Sequence, residues 1–195
     1  MTDAANAATP PGITPKISIA EMEAKNIVRY KDCTGSSLAY LDQRLPGHER
    51  EIVNVIGMNV TENRDDPALV PKLGSAHGFS LVYNKALAGK GMGAGPAFHS
   101  HQTEEIFVPM KGIWEVVWLE GEDERAIALH PLDVVSVPTG IYRGFRCISG
   151  EDDALMLAIV GGPDAGHVAW HPSVIDKARA TGLAVDDDGT LHAMD

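Results

Sequence analysis

Cysteine is nearly absent from this chain of 195 residues, which has only Cys33 and Cys147. Two cysteines cannot build a disulfide framework, and their separation lacks the clustered spacing of a zinc–thiolate site. Free thiols in a reducing, cytoplasmic compartment are the expectation. Basic residues are scarce too, with 16 Lys and Arg against 27 Asp and Glu and a net charge of −11. That balance opposes a polyphosphate backbone and excludes nucleic acid as the expected partner. Long apolar runs are missing as well: the best candidate, "ALMLAIVGG", is strand-sized and far short of the roughly 18 residues that cross a bilayer. The first residues, "MTDAANAATPPGITPK", lack a basic start followed by an apolar stretch, so a loose extension is expected there rather than a secretory leader.

What is present describes a folded protein. A composition 44% hydrophobic and 22% charged suits one globular domain with a sizeable core. Four segments are expected: an extension over 1–17, a helix and accessory strands over 18–78, a β-barrel over 79–162, and a closing helix and tail over 163–195. In "SIAEMEAKNI", Ser18 followed three residues later by Glu21 predicts a capped helix from about 19 to 27, with Ile17 and Met22 as a hydrophobic staple. "SSLAYLD" and "EREIVNVIGMNV" read as strands. From residue 79 seven apolar or β-branched runs recur at near ten-residue spacing with no helical pattern between them: "FSLVYNKAL", "EIFVPM", "IWEVVWLE", "RAIAL", "DVVSVP", "YRGFRCI" and "ALMLAIVG". Turn residues separate them, which predicts an all-β antiparallel sandwich or barrel. "HPSVIDKARATG" reads as a closing helix starting at Pro172 or Ser173, with Gly182 just past its end. The acidic "VDDDGTLHAMD" reads as a frayed tail.

One stretch carries chemistry. In "FHSHQTEEIFVPMKG", His99 and His101 are two apart and so point to one face of a strand. If the chain turns at "SHQTE" and returns as "EIFVPM", Glu105 faces the same point. Two imidazoles and one carboxylate suit Fe2+, Mn2+, Zn2+ or Ni2+ and leave coordination positions open. Glu104 is the rival carboxylate, expected to be a solvated turn residue. His130 is expected to face solvent, and His77, His167 and His171 are remote candidates for a fourth ligand. Trp114, Trp118, Phe107 and Ile113 are expected to fill the core.

The run from Gly93 to Gly112, with glycine, five residues, His-Ser-His, three residues, Glu105, six residues and glycine, resembles the first sequence motif of the cupins. That resemblance implies a double-stranded β-helix (jelly-roll) barrel with short N- and C-terminal helices, a homodimeric assembly and a metal held by His99, His101 and Glu105. "LDVVSVPTGIYRGFRC" resembles the second motif through Asp133, Pro138 and Gly140, and departs from it three times. Leu132 stands where glycine is usual, Arg143 where the fourth metal-binding histidine is usual, and Cys147 where asparagine is usual.

Arg143, Phe145 and Cys147 have inward parity, which places a guanidinium at the barrel mouth. Arginine stays charged and cannot ligate a metal as a cation, so it requires an anion. Either Glu105 or Glu104 supplies one, or a substrate carboxylate, phosphate or enolate does. Arg143 is accordingly the candidate catalytic residue, with Tyr142, Phe145 and Cys147 as further candidates for the substrate pocket. The expected activity is that of a metal-dependent, dioxygenase-like enzyme, with iron the first candidate, acting on an anionic small molecule. Isomerase, lyase or decarboxylase chemistry would use the same residues. Two alternatives stay open: a metal-free cupin using a histidine as acid or base, as in the sugar-epimerase branch, and a non-catalytic module that binds a small ligand.

Overall fold

The computed structural model describes residues 16–57, 61–74, 78–90, 92–162 and 168–194. Two short helices, α1 (Ile19–Asn26) and α2 (Pro172–Arg179), flank an antiparallel β structure. Its strands are β1 (Arg50–Ile56), β2 (Phe79–Ala86), β3 (His99–Ser100), β4 (Glu105–Lys111), β5 (Trp114–Glu120), β6 (Asp123–Leu129), β7 (Val135–Val137), β8 (Arg143–Cys147), β9 (Leu155–Gly161) and β10 (Ala169–Trp170). A final hairpin joins β11 (Leu183–Val185) to β12 (Leu191–Ala193).

One five-stranded sheet runs β1-β2-β9-β4-β7 and the other β10-β3-β8-β5-β6. Between β2 and β9 the pairing is nested: β2 with β9, β3 with β8, β4 with β7, β5 with β6. A long hairpin rolled so that successive strands change sheets produces that order, which is the jelly roll. Side chains alternate accordingly. Ser80, Val82, Asn84 and Ala86 of β2 are buried, and so are Glu105 and Phe107 of β4 and Met156, Ala158 and Val160 of β9. Facing them from the other sheet are Trp114, Val116, Phe145 and Cys147, which share one cluster with Phe107 and Met156. Trp118 packs against its edge.

Two motif glycines have backbone reasons. Gly93 has φ +90°, and a Cβ there would stand 2.6 Å from the carbonyl oxygen of Gly47. Gly112, in the turn between β4 and β5, has φ +81°, and its Cβ would lie 2.9 Å from the Ala154 Cβ. Both conformations favour a residue without a side chain. Leu132, standing where glycine is usual, also has a left-handed φ of 74° and is 71% exposed.

Part of the chain outside the jelly roll builds a second core against it. Leu41, Leu45, Ala97, Trp170, Val174, Ala178 and Leu183 form a second core cluster that gathers residues 38–45, α2 and the last hairpin. Three expectations change here. "SSLAYLD" is not a strand: only Ser36 bridges to Ile52, and Leu41–Arg44 form a 3-10 turn. The carbonyl of Gln43 accepts the backbone N–H of Tyr40 and its amide donates to the Arg50 carbonyl, which holds the chain in that turn. The capping box of α1 forms as expected, yet Ile17 and Met22 remain 45% and 39% exposed and no residue of the helix is buried. The helix therefore rests on its cap rather than on packing. The acidic tail is ordered, with a turn closed by Asp186 accepting from the Thr190 N–H and with the Leu191 N–H donating to the Glu62 carbonyl. β1 extends its own chain's sheet by pairing with β2.

Candidate metal centre

His99 opens β3, where its backbone pairs with Arg143 of β8 on one side and Trp170 of β10 on the other. His101 follows two residues later, and Glu105 begins β4 after the turn. All three are buried, and one donor atom from each lies within 4.8 Å of the others. The imidazole rings stand nearly perpendicular, their centroids 5.1 Å apart. His101 Nε2 is 3.7 Å from Glu105 Oε1. Glu104 is exposed, and it is Glu105 that turns inward.

The tautomer of His99 is fixed by its surroundings. Its Nδ1 lies 2.7 Å from the Ala97 carbonyl oxygen, and because a carbonyl only accepts, Nδ1 carries the proton and Nε2 offers a lone pair. Burial, then the Arg143 guanidinium, then His101 hold the His99 pKa well below its ordinary value. His99 is thus neutral, the form in which imidazole ligates metals. The donor set fits a divalent transition ion: two imidazole nitrogens and a carboxylate, all buried, with one tautomer set by a backbone carbonyl.

Arg143 is 2% exposed. Its Nη2 donates to Glu105 Oε2, and its Nη1 lies 3.2 Å from the His99 carbonyl oxygen and 3.4 Å from that of Ile141. Its Nε–H has no acceptor among the described residues. Of the two sources of anion open to Arg143, the internal one, Glu105, is in place.

A cavity of about 40 Å3 adjoins the three donors, lined also by Tyr40, Arg50, Asn84, Phe107, Val160 and Trp170. Trp170 stacks beside His99 at 5.6 Å between ring centroids, and its indole N–H donates to Glu62 Oε1 at 2.7 Å. Glu62 Oε2 accepts the Leu41 N–H at 2.8 Å, and burial pushes its pKa up to about 7. Burial and the Glu62 charge likewise raise the Tyr40 phenol.

Arg143, Tyr142, Phe145 and Cys147 are not among the residues that line this cavity, and Arg143 meets its wall through Glu105 and the His99 carbonyl. Phe145 stacks on Phe107 in the core at 3.9 Å. Cys147 is buried between β5 and Gly93. Tyr142 meets His171 edge-on at 5.0 Å outside the barrel interior, and His171 is the N-cap of α2. His77 and His167 lie outside the described residues. Sequence reading missed Tyr40, Arg50, Asn84 and Trp170 as cavity walls. Asn84 and Arg50 sit at inward positions of β2 and β1, a signal that becomes readable only once strand register is known.

No family model matches the sequence, and no curated protein aligns with it. Among solved structures, a cupin 2 domain-containing protein from Halorhodospira halophila is 17% identical, covers 67% of this chain and 77% of its own, and has a TM-score of 0.45. KdgF from Halomonas sp. is 17% identical over 67% of this chain and 87% of its own, with a TM-score of 0.43. The DMSP lyase DddQ from Ruegeria pomeroyi DSS-3 is 22% identical over 62% of this chain, which spans about half of it (51%), with a TM-score of 0.43. With a first motif whose every spacing fits, nested antiparallel pairing and His99, His101 and Glu105 converging inside the barrel, this chain has the fold of the cupin superfamily.

Proposed function

We propose that this chain is a metal-binding cupin, and more narrowly a small-molecule metalloenzyme of the non-haem dioxygenase kind acting on an anionic or carboxylated metabolite. The buried convergence of His99, His101 and Glu105 carries this reading. Fe2+ is the first candidate ion, and Mn2+, Zn2+ or Ni2+ suit the same nitrogen and oxygen donors. When bound, such an ion supplies Lewis acidity and, if it is iron, access to dioxygen chemistry.

The chain's own residues prepare the site. The Ala97 carbonyl holds His99 in one tautomer, and Arg143 holds one oxygen of Glu105 while leaving the other on the histidine side. Arg143 is the residue proposed to orient the substrate's negative end. Tyr40, Phe107, Val160 and Trp170 surround the cavity and keep bulk water away from it. A homodimer is the proposed assembly, to be checked by sedimentation equilibrium. The Arg143–Glu105 pair favours one second reading, a metal-free isomerase or epimerase in which the guanidinium serves as the site's cation and a histidine exchanges a proton with substrate.

Elemental analysis of protein purified without a metal-binding tag, beside a His99→Ala/His101→Ala variant, separates the two. Stoichiometric metal that vanishes in the variant supports the first reading, and its identity directs substrate screening, starting with dioxygen uptake if it is iron. Wild-type protein that stays metal-free after reconstitution with each ion overturns it in favour of the second.

A further inference from the structure

β3 is two residues long, His99–Ser100, too short for its own ladder to fix the chain that leads into it. That chain, Pro96-Ala97-Phe98, is held from other segments instead. The Phe145 N–H of β8 donates to the Pro96 carbonyl at 3.0 Å, and the His171 N–H donates to the Phe98 carbonyl at 3.0 Å. Between these two backbone tethers, the Ala97 N–H donates to Asp42 Oδ2 at 2.7 Å. Asp42 therefore grips with its side chain the residue whose carbonyl receives the His99 Nδ1–H.

The carboxylate that does this is itself fixed. Asp42 belongs to the 3-10 turn Leu41–Arg44, outside the jelly roll. Arg50 meets both of its oxygens, and Arg50 is held in turn by Asn84 and the His48 carbonyl. The turn is anchored on either side of Asp42, by the Leu41 N–H on Glu62 and by the Gln43 amide on the Arg50 carbonyl. Asp42 is 0% and Ala97 4% exposed, so the bond between them is charge-assisted and shielded from water, the conditions under which such a bond holds its geometry. If that bond is lost, the Ala97 carbonyl is free to move. An imidazole whose Nδ1 partner moves presents Nε2 in the ligating tautomer less often and over a wider range of directions.

We infer that Asp42 is a positioning residue of the metal centre: acting through Ala97, from a turn outside the barrel, it aims His99 Nε2 at the point shared with His101 and Glu105. This rests on the metal-site reading above and deepens it, because the site then depends on the segment before the barrel as well as on the barrel motif.

The test is a Co2+ titration of protein stripped by a chelator and dialysed, because the visible absorption of Co2+ depends on the number and arrangement of its ligands. Asp42→Ala should raise the Co2+ Kd about tenfold or more and change the spectrum at saturation. The double variant Asp42→Leu/Arg50→Met removes the buried pair together and leaves no unmatched charge to unfold the chain. It should show the same weakening and the same altered spectrum, and it carries the test alone if Asp42→Ala does not fold. Leu69→Ala destabilises the protein through a cavity in the other core cluster. It should keep the wild-type spectrum and a Kd within about twofold of wild type, since the tether to Ala97 is intact. Wild-type Kd and spectrum in a folded Asp42 variant, or equal weakening in Leu69→Ala, overturns the inference and leaves the metal site standing. Wild type that takes up no Co2+ overturns the metal-site reading, and this inference with it.

Discussion

Two buried arginine–carboxylate pairs lie near the same cavity and are built differently. Arg50 and Asp42, 1% and 0% exposed, share two parallel contacts. Arg50 also donates from Nε to Asn84 and from Nη1 to the His48 carbonyl, while Asp42 accepts the Ala97 N–H at 2.7 Å. Both carboxylate oxygens and all three guanidinium nitrogens are engaged. Arg143 and Glu105, equally buried, are joined through one nitrogen and one oxygen, with Nε unpartnered among the described residues and the second carboxylate oxygen facing His101. A buried pair whose groups are all satisfied has no capacity for a further ligand, whereas one left incomplete does. The satisfied pair also buttresses the open one, because Asp42 holds the N–H of Ala97 and the carbonyl of Ala97 holds His99.

Removing one partner from each pair is the sharpest way to break this comparison. Asp42→Asn leaves the Arg50 charge buried and unmatched, and a loss of about 3–5 kcal/mol of unfolding free energy is expected in denaturant titration. Zn2+ should restore little of it. Arg143→Met strands Glu105 in the same way, with an expected loss of about 3 kcal/mol in metal-free protein, but here saturating Zn2+ should restore most of the midpoint because the ion becomes the missing cation. Equal behaviour of the two variants towards Zn2+ would dissolve the distinction.

Glu62 tests a third kind of burial, a carboxylate held by two N–H donors and, among the described residues, in no salt bridge. Folded, it keeps its proton up to about pH 7, whereas the unfolded chain releases it near the ordinary 4.5. Between those values the unfolded state binds fewer protons, so the stabilising contribution is complete below about 4.5, falls as pH rises to about 7, and then levels off. The amplitude is about 3 kcal/mol. Unfolding free energies measured across that window should lose this slope in Glu62→Gln, and a slope unchanged in the variant would place its origin elsewhere.

The smallest expected effect has the opposite sign. Leu132 adopts a left-handed φ that costs a side chain about 1–2 kcal/mol. Leu132→Gly relieves this while loosening the unfolded chain by about 0.5 kcal/mol, so the unfolding midpoint should rise by an amount equivalent to about 1 kcal/mol. Because residue 132 belongs to neither pair, Zn2+ stoichiometry should be the same in wild type and variant.

Local pattern made much of this molecule legible. Strand alternation marked β2, β4, β5, β8 and β9 within a residue or two, because inward positions recur every second residue whatever the partner strand. Parity placed His99 and His101 on one face, and motif spacing selected Glu105 over Glu104. The segment 36–42 misled because its composition is strand-like, while its conformation is imposed by Gln43 and Asp42 bonding to Arg50 at the start of β1. The tail misled because three consecutive aspartates read as solvated, and the order of that segment comes from Leu183 and Leu191 packing with α2 and from the N–H of Leu191 on Glu62.

What the amino-acid order determined alone is the set of short-range geometries: which residues alternate, where a left-handed turn needs glycine, and that two imidazoles two residues apart share a face. These depend only on backbone sterics within a few residues. Tertiary structure decided the rest: that Arg143 meets Glu105, that Phe145 and Cys147 turn to packing, and that Tyr40, Arg50 and Trp170 close the cavity. Those outcomes depend on strand register and on segments far apart in the chain, which come together only when the jelly roll closes.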